Sequence, residues 1–366
     1  MKAYKFNFIV LIILLIGIAT IPSCTIGDTT TAETITISSD INSPTTWKGD
    51  NIYIIDKDNL YLNAELTIEA GAIIKIMSGD NIILNRDGNI IANGTSTKPI
   101  VFTSIKDDNN GSDNNSDGDN TVPAAGDWGY INLNGSQNST FKYCKFLYGG
   151  RDNSNPATVD VSSEAKAIFD NCTFAYNSGS LLNNIYVGAL NASNASAQTK
   201  ITNCKFYGNN VPVTINAEMS MDNSNSFSND QLGNKCNGIF VGGSSITSNI
   251  SWLEDEVAFV VTAANLDIAV NRTLTFGNNV VVKFVEHSTL TVSSEGCLIN
   301  HNGPGVEFTS LKDDERKGDT NGDGRETSPE VADWTGIFID VWKKSTNGEF
   351  AHWDNIYYND PHATAK

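Results

Sequence analysis

The sequence predicts an all-β fold, a parallel β-helix with an internal duplication and two inserted acidic loops, and three observations carry the prediction. Apolar residues come in short β-branched runs such as Ile52-Tyr-Ile-Ile55, Leu66-Thr-Ile68 and Ile73-Ile-Lys-Ile76, mostly parted by Gly, Asn or Asp, and no window sustains a helical period. Runs this short and regularly spaced suit a solenoid, in which each coil stacks on the next and like residues fall in line, better than a hairpin sandwich. An apolar-x-x-Cys-x-Phe unit recurs at Cys144, Cys172 and Cys204, and a shift of 206 residues lays Phe102-Thr-Ser-Ile-Lys-Asp-Asp108 on Phe308-Thr-Ser-Leu-Lys-Asp-Asp314 without a gap.

With 366 residues the chain is long enough for one elongated domain or two of ordinary size. Its 42 acidic residues against 24 basic ones, a net charge of −18, repel nucleic acid and anionic lipid and attract cations, so nucleic acid is set aside as a partner. Only 18% of the residues are charged, and Asn, Ser, Thr and Gly fill the polar positions, a composition of strands and turns.

Residues 1–23 read as an export signal: Lys2 and Lys5 supply the positive start, and an apolar run from Phe6 to Ala19 follows. The run ends in Ile21-Pro-Ser-Cys24, a small residue before a cysteine, which resembles the lipobox of bacterial lipoproteins. Cys24 would then be lipidated, tethering the mature protein to a membrane outside the cytoplasm, at the outer membrane or cell surface. A plain secretory signal with an incidental cysteine is the other reading. Residues 24–45, rich in Thr, Ser and Asp, read as a tether.

The strands begin after the tether, the first copy spanning residues 46–245 and the second 246–366. Coils of 28 and 32 residues in the middle of the first copy would place Cys144, Cys172 and Cys204 one above another and Phe146, Phe174 and Phe206 in a parallel stack, with Asn171 and Asn203 at a corner, bonded as an asparagine ladder. Outside the lipobox the cysteines number five, an odd count that cannot pair fully within one chain, and these three read as buried small hydrophobes. The second copy restarts at Trp252 with Leu274-Thr-Phe276 and Val280-Val-Val-Lys-Phe284, and it lacks the Cys-x-Phe coils.

Each copy carries an acidic loop that ends in Asp-Trp. The second spells Asp319-Thr-Asn-Gly-Asp-Gly-Arg-Glu-Thr-Ser-Pro-Glu330, the twelve-residue calcium pattern D-x-N-x-D-G-x5-E. Calcium takes six to eight oxygens, and this spacing offers Asp319, Asn321, Asp323, the Arg325 carbonyl, Thr327 and, as the closing bidentate acid, Glu330. The first loop keeps Asp113, Asn115, Asp117 and Asp119 but has Ala124 at position twelve, so it is expected to bind calcium more weakly unless Asp107, Asp108 or Asp127 supplies the missing acid. No amphipathic helices flank either loop, so calcium is expected to rigidify an insertion rather than throw a switch.

Other polar residues have simpler readings. Lys75 and Lys283 recur at matching places inside apolar runs, where alternation turns each outward as a solvated residue between buried neighbours. Trp128 with Tyr130, and Trp334 with Phe338 and Trp342, are candidate platforms for sugar rings, although the duplication favours Trp128 and Trp334 as anchors packed beneath their loops. The pairs Asp107-Asp108 and Asp313-Asp314 bring to mind the two carboxylates of glycoside hydrolysis, but strand neighbours point to opposite faces and both pairs open acidic loops, so support for calcium is the better reading.

The phrases Leu66-Thr-Ile-Glu-Ala-Gly-Ala-Ile-Ile-Lys-Ile76, Ala92-Asn-Gly-Thr95, Lys98-Pro-Ile-Val-Phe-Thr-Ser104 and Gly126-Asp-Trp128 resemble those of right-handed parallel β-helix lipoproteins of the pectin-lyase-like superfamily. The resemblance covers most of residues 47–358 and implies the hand of the helix. It leaves activity open, because that superfamily holds lyases, glycoside hydrolases, adhesins and members of no assigned activity. The Gly-His-Gly segment of its polygalacturonases is missing here. The polar features come in duplicate, whereas an active site is a single asymmetric cluster. The expected role is therefore a non-catalytic scaffold or adhesin that binds a polysaccharide or another surface macromolecule, with a calcium-dependent polysaccharide lyase or glycoside hydrolase as the alternative.

Overall fold

The computed structural model describes residues 32–339, apart from 136–137, 152–155, 163–164, 183–184, 231 and 293–296. The chain divides into two units, Met1–Ala32 and Glu33–Lys366, and every described strand belongs to the second. The signal segment, Cys24 and Trp342 lie outside the described residues. Among the described residues no helix is long and apolar enough to cross a membrane.

The fold is a right-handed parallel β-helix. A first sheet stacks Thr34–Ile37, Ile52–Ile55, Ile73–Ile76, Ile100–Ser104, Cys144–Leu147, Thr173–Ala175 and Lys205–Tyr207. A second sheet of ten strands runs from Asn59–Leu62 to Glu307–Ser310, and a third stacks Thr45–Trp47, Glu65–Ile68, Asn89–Asn93, Ser139–Lys142, Ala167–Asp170 and Lys200–Thr202. The chain visits the three in turn, and each strand pairs in parallel with its counterpart one coil on, as Ile73 does with Ile52 and then Val101. Alternate residues point inward, so Leu66 and Ile68 are buried while Glu65 is exposed, which is why runs of three or four apolar-rich residues suffice.

Inward side chains stack in files. Phe102, Phe146, Phe174, Phe206 and Phe227 lie face to face at 5.0, 4.8, 5.1 and 5.3 Å between ring centres. Each such pair adds about 0.5–1.5 kcal/mol beyond its area. Cys144, Cys172 and Cys204 form the neighbouring file, buried and free of disulfides, and burial pushes the Cys172 and Cys204 thiols well above their ordinary range.

Asn171 and Asn203 do stand at the corner after the third sheet, at φ 57° and 54°, but they do not bond to one another. Both amides donate to Asp170 Oδ1, at 2.8 and 3.1 Å. The asparagine ladder lies at the corner after the first sheet, where Asn177 donates to Asn209 Oδ1 at 3.0 Å and Asn209 donates to Asn234 Oδ1 at 2.8 Å. In a left-handed corner the side chain leans outward and meets the nearby carboxylate, whereas the inward-turned asparagines have only carbonyls and each other.

The duplication is visible strand by strand: Ile52–Ile55, Ile73–Ile76 and Ile100–Ser104 correspond to Ala258–Val261, Val281–Phe284 and Glu307–Ser310. The first three belong to the first sheet, but their counterparts continue the second sheet. The second copy is thus set one face round from the first. Its other faces are new sheets, of Ser245–Ile246, Asn265–Ile268, Thr289–Val292 and Gly336–Ile339, and of Ile250–Trp252, Leu274–Phe276 and Leu298–Ile299.

Candidate functional site

Each acidic loop folds back over the outer face of the sheet that launches it. In the first, Gly111 at φ 85° packs so close that a Cβ there would lie 3.1 Å from Ile52 and 3.3 Å from Ile73. In the second, Gly322 at φ 78° would place a Cβ 2.7 Å from Cys236 Sγ, and the Asn237 N–H donates to the Asp319 carbonyl at 3.0 Å.

The neck of each loop is pinned the same way. Asp127 accepts from Ser104 Oγ at 2.9 Å, Lys106 Nζ at 2.8 Å and the Ala124 N–H at 3.0 Å; Asp333 accepts from Ser310 Oγ, Lys312 Nζ and the Glu330 N–H at 2.7, 2.7 and 2.9 Å. Thr103 donates to Asp107 and Thr309 to Asp313, so these aspartates are structural too. Trp128 and Trp334 sit beneath the necks. Trp128 is fully buried, its Nε1 donating to the Leu147 carbonyl at 2.7 Å, and Trp334 is 5% exposed and stacked 4.2 Å from Phe284. Neither offers a ring face to a ligand, so the two are anchors rather than platforms; Tyr130, by contrast, is partly exposed.

Three carboxylates converge inside each loop. Oxygens of Asp108, Asp113 and Asp117 lie within 4.8 Å of one another, and so do those of Asp314, Asp319 and Asp323. Asp319 Oδ2 accepts the Gly324 N–H at 2.7 Å, and Asp113 Oδ2 the Gly118 N–H at 2.9 Å, which leaves the tight turn closed around the cluster. Asn321 Nδ2 donates to Asp323 Oδ2 at 2.9 Å and Asn115 Nδ2 to Asp117 Oδ2 at 2.9 Å, while the hydroxyls of Thr327 and Thr121 donate to the same two oxygens. Left buried with no donor are Asp107 Oδ1, Asp108 Oδ1, Asn114 Oδ1, Asn115 Oδ1 and Asp117 Oδ1 in the first loop, and both Asp314 oxygens and Asp323 Oδ1 in the second.

The loops are therefore more alike than the sequence predicts. Glu330 and Asp119 are exposed and outside the cluster; Asp314 is the third carboxylate of the second cluster, and Asp108 that of the first. Position twelve contributes to neither cluster of three carboxylates. The sequence already offers Asp108 as a substitute acid and reads both aspartate pairs as support for calcium, and their identity across the duplication carries that reading.

Lys75 and Lys283 are the second correction. Both point outward, as alternation requires, yet both are fully buried, because the loops cover them. Lys75 Nζ donates to the Ser112 carbonyl, and Lys283 Nζ to the Gly318 carbonyl at 2.7 Å and Thr320 Oγ1 at 3.0 Å. Burial lowers both ammonium pKa values, that of Lys283 to about 8, against the pull of Asp108, Asp107 and Asp113 in one loop and Asp313, Asp314 and Asp319 in the other. Burial likewise pushes the Asp108 and Asp314 carboxyls above their ordinary range, with Asp113 and Asp319 adding to it. Asp113 is held low by the Gly118 N–H, and Asp323 by the Thr327 hydroxyl. Chemically, each loop presents hard oxygen donors and one internal ammonium, a set suited to a small divalent cation.

No curated protein and no solved structure matches the chain. Residues 39–159 match the family model of the pectate-lyase-like beta helix domain, a stretch that takes in the first acidic loop. The stacked parallel sheets make the chain a parallel β-helix protein, and residues 39–159 of that helix are similar to the pectate-lyase-like beta helix domain.

Proposed function

We propose that the protein is an exported, lipid-anchored β-helix scaffold, stiffened by two calcium ions, that binds glycan at a cell surface without acting on it. The observation that carries the calcium reading is the set of buried carboxylate and amide oxygens without donors in both loops, since such oxygens are costly unless a cation meets them. Asp108, Asp113, Asp117 and Asn115 would hold one ion, and Asp314, Asp319 and Asp323 the other. The three carboxylates of each cluster and the ammonium beside them leave two negative charges, which one divalent ion cancels. The ion would supply crosslinking of the loop to the end of its strand.

Two features support a binding role over a lyase or hydrolase. The clusters come in duplicate, and the lysines beside them, the bases a lyase would call upon, are sealed beneath the loops. Anchoring through Cys24 rests on the lipobox-like segment, and glycan as the partner on the β-helix type.

Calorimetric calcium titration of the chain from Thr25 onward, with parallel thermal melts, tests the calcium reading. Two ions are expected to bind with comparable affinity, and Asp117→Ala and Asp323→Ala should each lose one. Calcium at a hundred times its dissociation constant should stabilise by about 2.7 kcal/mol per site. An absence of binding heat, or a stoichiometry that neither substitution changes, would remove calcium from the account.

A further inference from the structure

The file of cysteines carries a second chemistry, unrelated to the acidic loops. In three successive coils the corner between the third and first sheets is a single left-handed residue, Tyr143, Asn171 or Asn203, and a cysteine follows each one directly. Each thiol therefore takes the inward position next to a corner. Lys145 pairs with Thr173 and Thr173 with Lys205, which puts the three preceding cysteines in one register. A groove of about 280 Å³ opens over these corners, with Tyr143, Cys144, Asn171 and Cys172 in its lining.

The thiols touch. That of Cys172 hydrogen-bonds to those of Cys144 and Cys204, and none is tied up in a disulfide. Carbonyl oxygens crowd the same file: those of Phe141 and Asp170 lie 3.3 and 3.7 Å from Cys172 Sγ, and those of Thr202 and Phe169 lie 3.3 and 3.6 Å from Cys204 Sγ. Burial keeps the Cys172 and Cys204 thiols protonated at neutral pH, and the carbonyl oxygens favour a positive charge set between two sulfurs. The spacing suits one kind of cation. Two sulfur–metal bonds of about 2.3 Å laid in line span about 4.6 Å, and neighbouring strands stand about 4.8 Å apart. Zinc takes four ligands in a tetrahedron, which a straight file denies it, and calcium takes oxygens.

We infer that this file binds one soft, monovalent, two-coordinate cation of the copper(I) class, held in line between Cys172 and a neighbouring cysteine. On binding, one S–H bond breaks and one S–metal bond forms; the second sulfur keeps its proton and gives the metal a lone pair, and the released proton passes to solvent. No oxidation state changes. One cation in for one proton out leaves the core without net charge, as an apolar interior requires. Soft sulfur selects such an ion over the hard cations that suit the acidic loops. Cys172 has a partner on either side, whereas Cys144 and Cys204 stand two strand spacings apart, roughly 10 Å, too far for one ion to bridge.

Silver(I), equally soft and inert to redox change, is the probe, titrated calorimetrically into the chain from Thr25 onward in chloride-free buffer with calcium. The series is built on Cys236→Ala/Cys297→Ala, so that the file holds the only thiols. One ion is expected, with one proton released, read from the change in binding heat between buffers of different ionisation enthalpy. Cys172→Ala should weaken binding roughly a hundredfold or more, while Cys144→Ala and Cys204→Ala, each of which leaves one adjacent pair, should keep it within about tenfold. Melting transitions show which variants fold; should the double variant not fold, the same comparison with Cys236 and Cys297 in place is expected to lose one ion in Cys172→Ala alone. Silver that binds Cys172→Ala as tightly as its parent, or that binds only after urea has unfolded the chain, would overturn the site. So would a folded chain whose intact mass is short of two hydrogens, because a disulfide would then have consumed two of the three thiols.

Discussion

Asn209→Ala is expected to lower the stability of the β-helix by about 3 kcal/mol, the cost of leaving two or three buried polar groups without partners. Asn209 is 2% exposed and stands in the middle of the ladder. Its Oδ1 accepts both the backbone N–H and the side-chain amide of Asn177, each at 3.0 Å, and its Nδ2 donates to the Phe174 carbonyl at 2.9 Å and to Asn234. Alanine leaves the Asn177 N–H and the Phe174 carbonyl unanswered in an interior with no room for water between stacked coils. Asn171→Gly, at the outer corner, should change stability by less than about 0.5 kcal/mol, because Gly accepts a positive φ without strain. Urea midpoints of the two variants decide the matter, and equal losses would mean that the inner ladder contributes nothing special.

Glu254→Gln is expected to abolish a pH dependence of about 3 kcal/mol. Glu254 is 1% exposed; one oxygen accepts the Asp255 and Glu256 N–H groups at 3.1 and 2.9 Å, and the other is buried without a donor. Burial pushes its carboxyl from 4.5 up to about 7. The folded state therefore holds a proton that the unfolded state releases between pH 4.5 and 7. The stability this proton contributes is complete below about pH 4.5 and is lost as the pH rises through 7. Set against the glutamine variant, the wild type should lose about 2.5 kcal/mol of stability between pH 5 and pH 8, because a carboxyl that titrates at about 7 folded and 4.5 unfolded has part of its linkage below pH 5. The glutamine variant should lack that slope, and identical slopes in the two proteins would refute the assignment.

Much of this architecture is legible in the sequence, and the misreadings share a cause. Short β-branched runs, the Cys-x-Phe units and the 206-residue shift report what a coil repeats, and a solenoid is repetition. Alternation correctly turns Lys75 and Lys283 outward. It cannot say that outward is covered, because cover comes from loops folding back across a sheet. The same fold-back brings Asp314 to Asp319 and Asp323 while Glu330, correctly spaced for a helix-flanked calcium loop, faces solvent. Spacing within a motif presupposes its frame, and here the frame is a strand end. The asparagine ladder is foreseen in kind but assigned to the wrong corner, since sequence alone does not distinguish an inward corner from an outward one.

The one-face offset between the copies bears on how such proteins diversify. A solenoid with three similar walls does not oblige an inserted copy to re-enter at the wall it left; it requires only that inward files meet like with like. The strand run with its loop, its pinned neck and its covered lysine thus behaves as a cassette that can be seated at any azimuth. A third copy grafted after the second, with apolar files matched to the last coil, could carry its loop out in another direction. Designers could then aim protrusions around a rod by choosing where, within a turn, the graft begins.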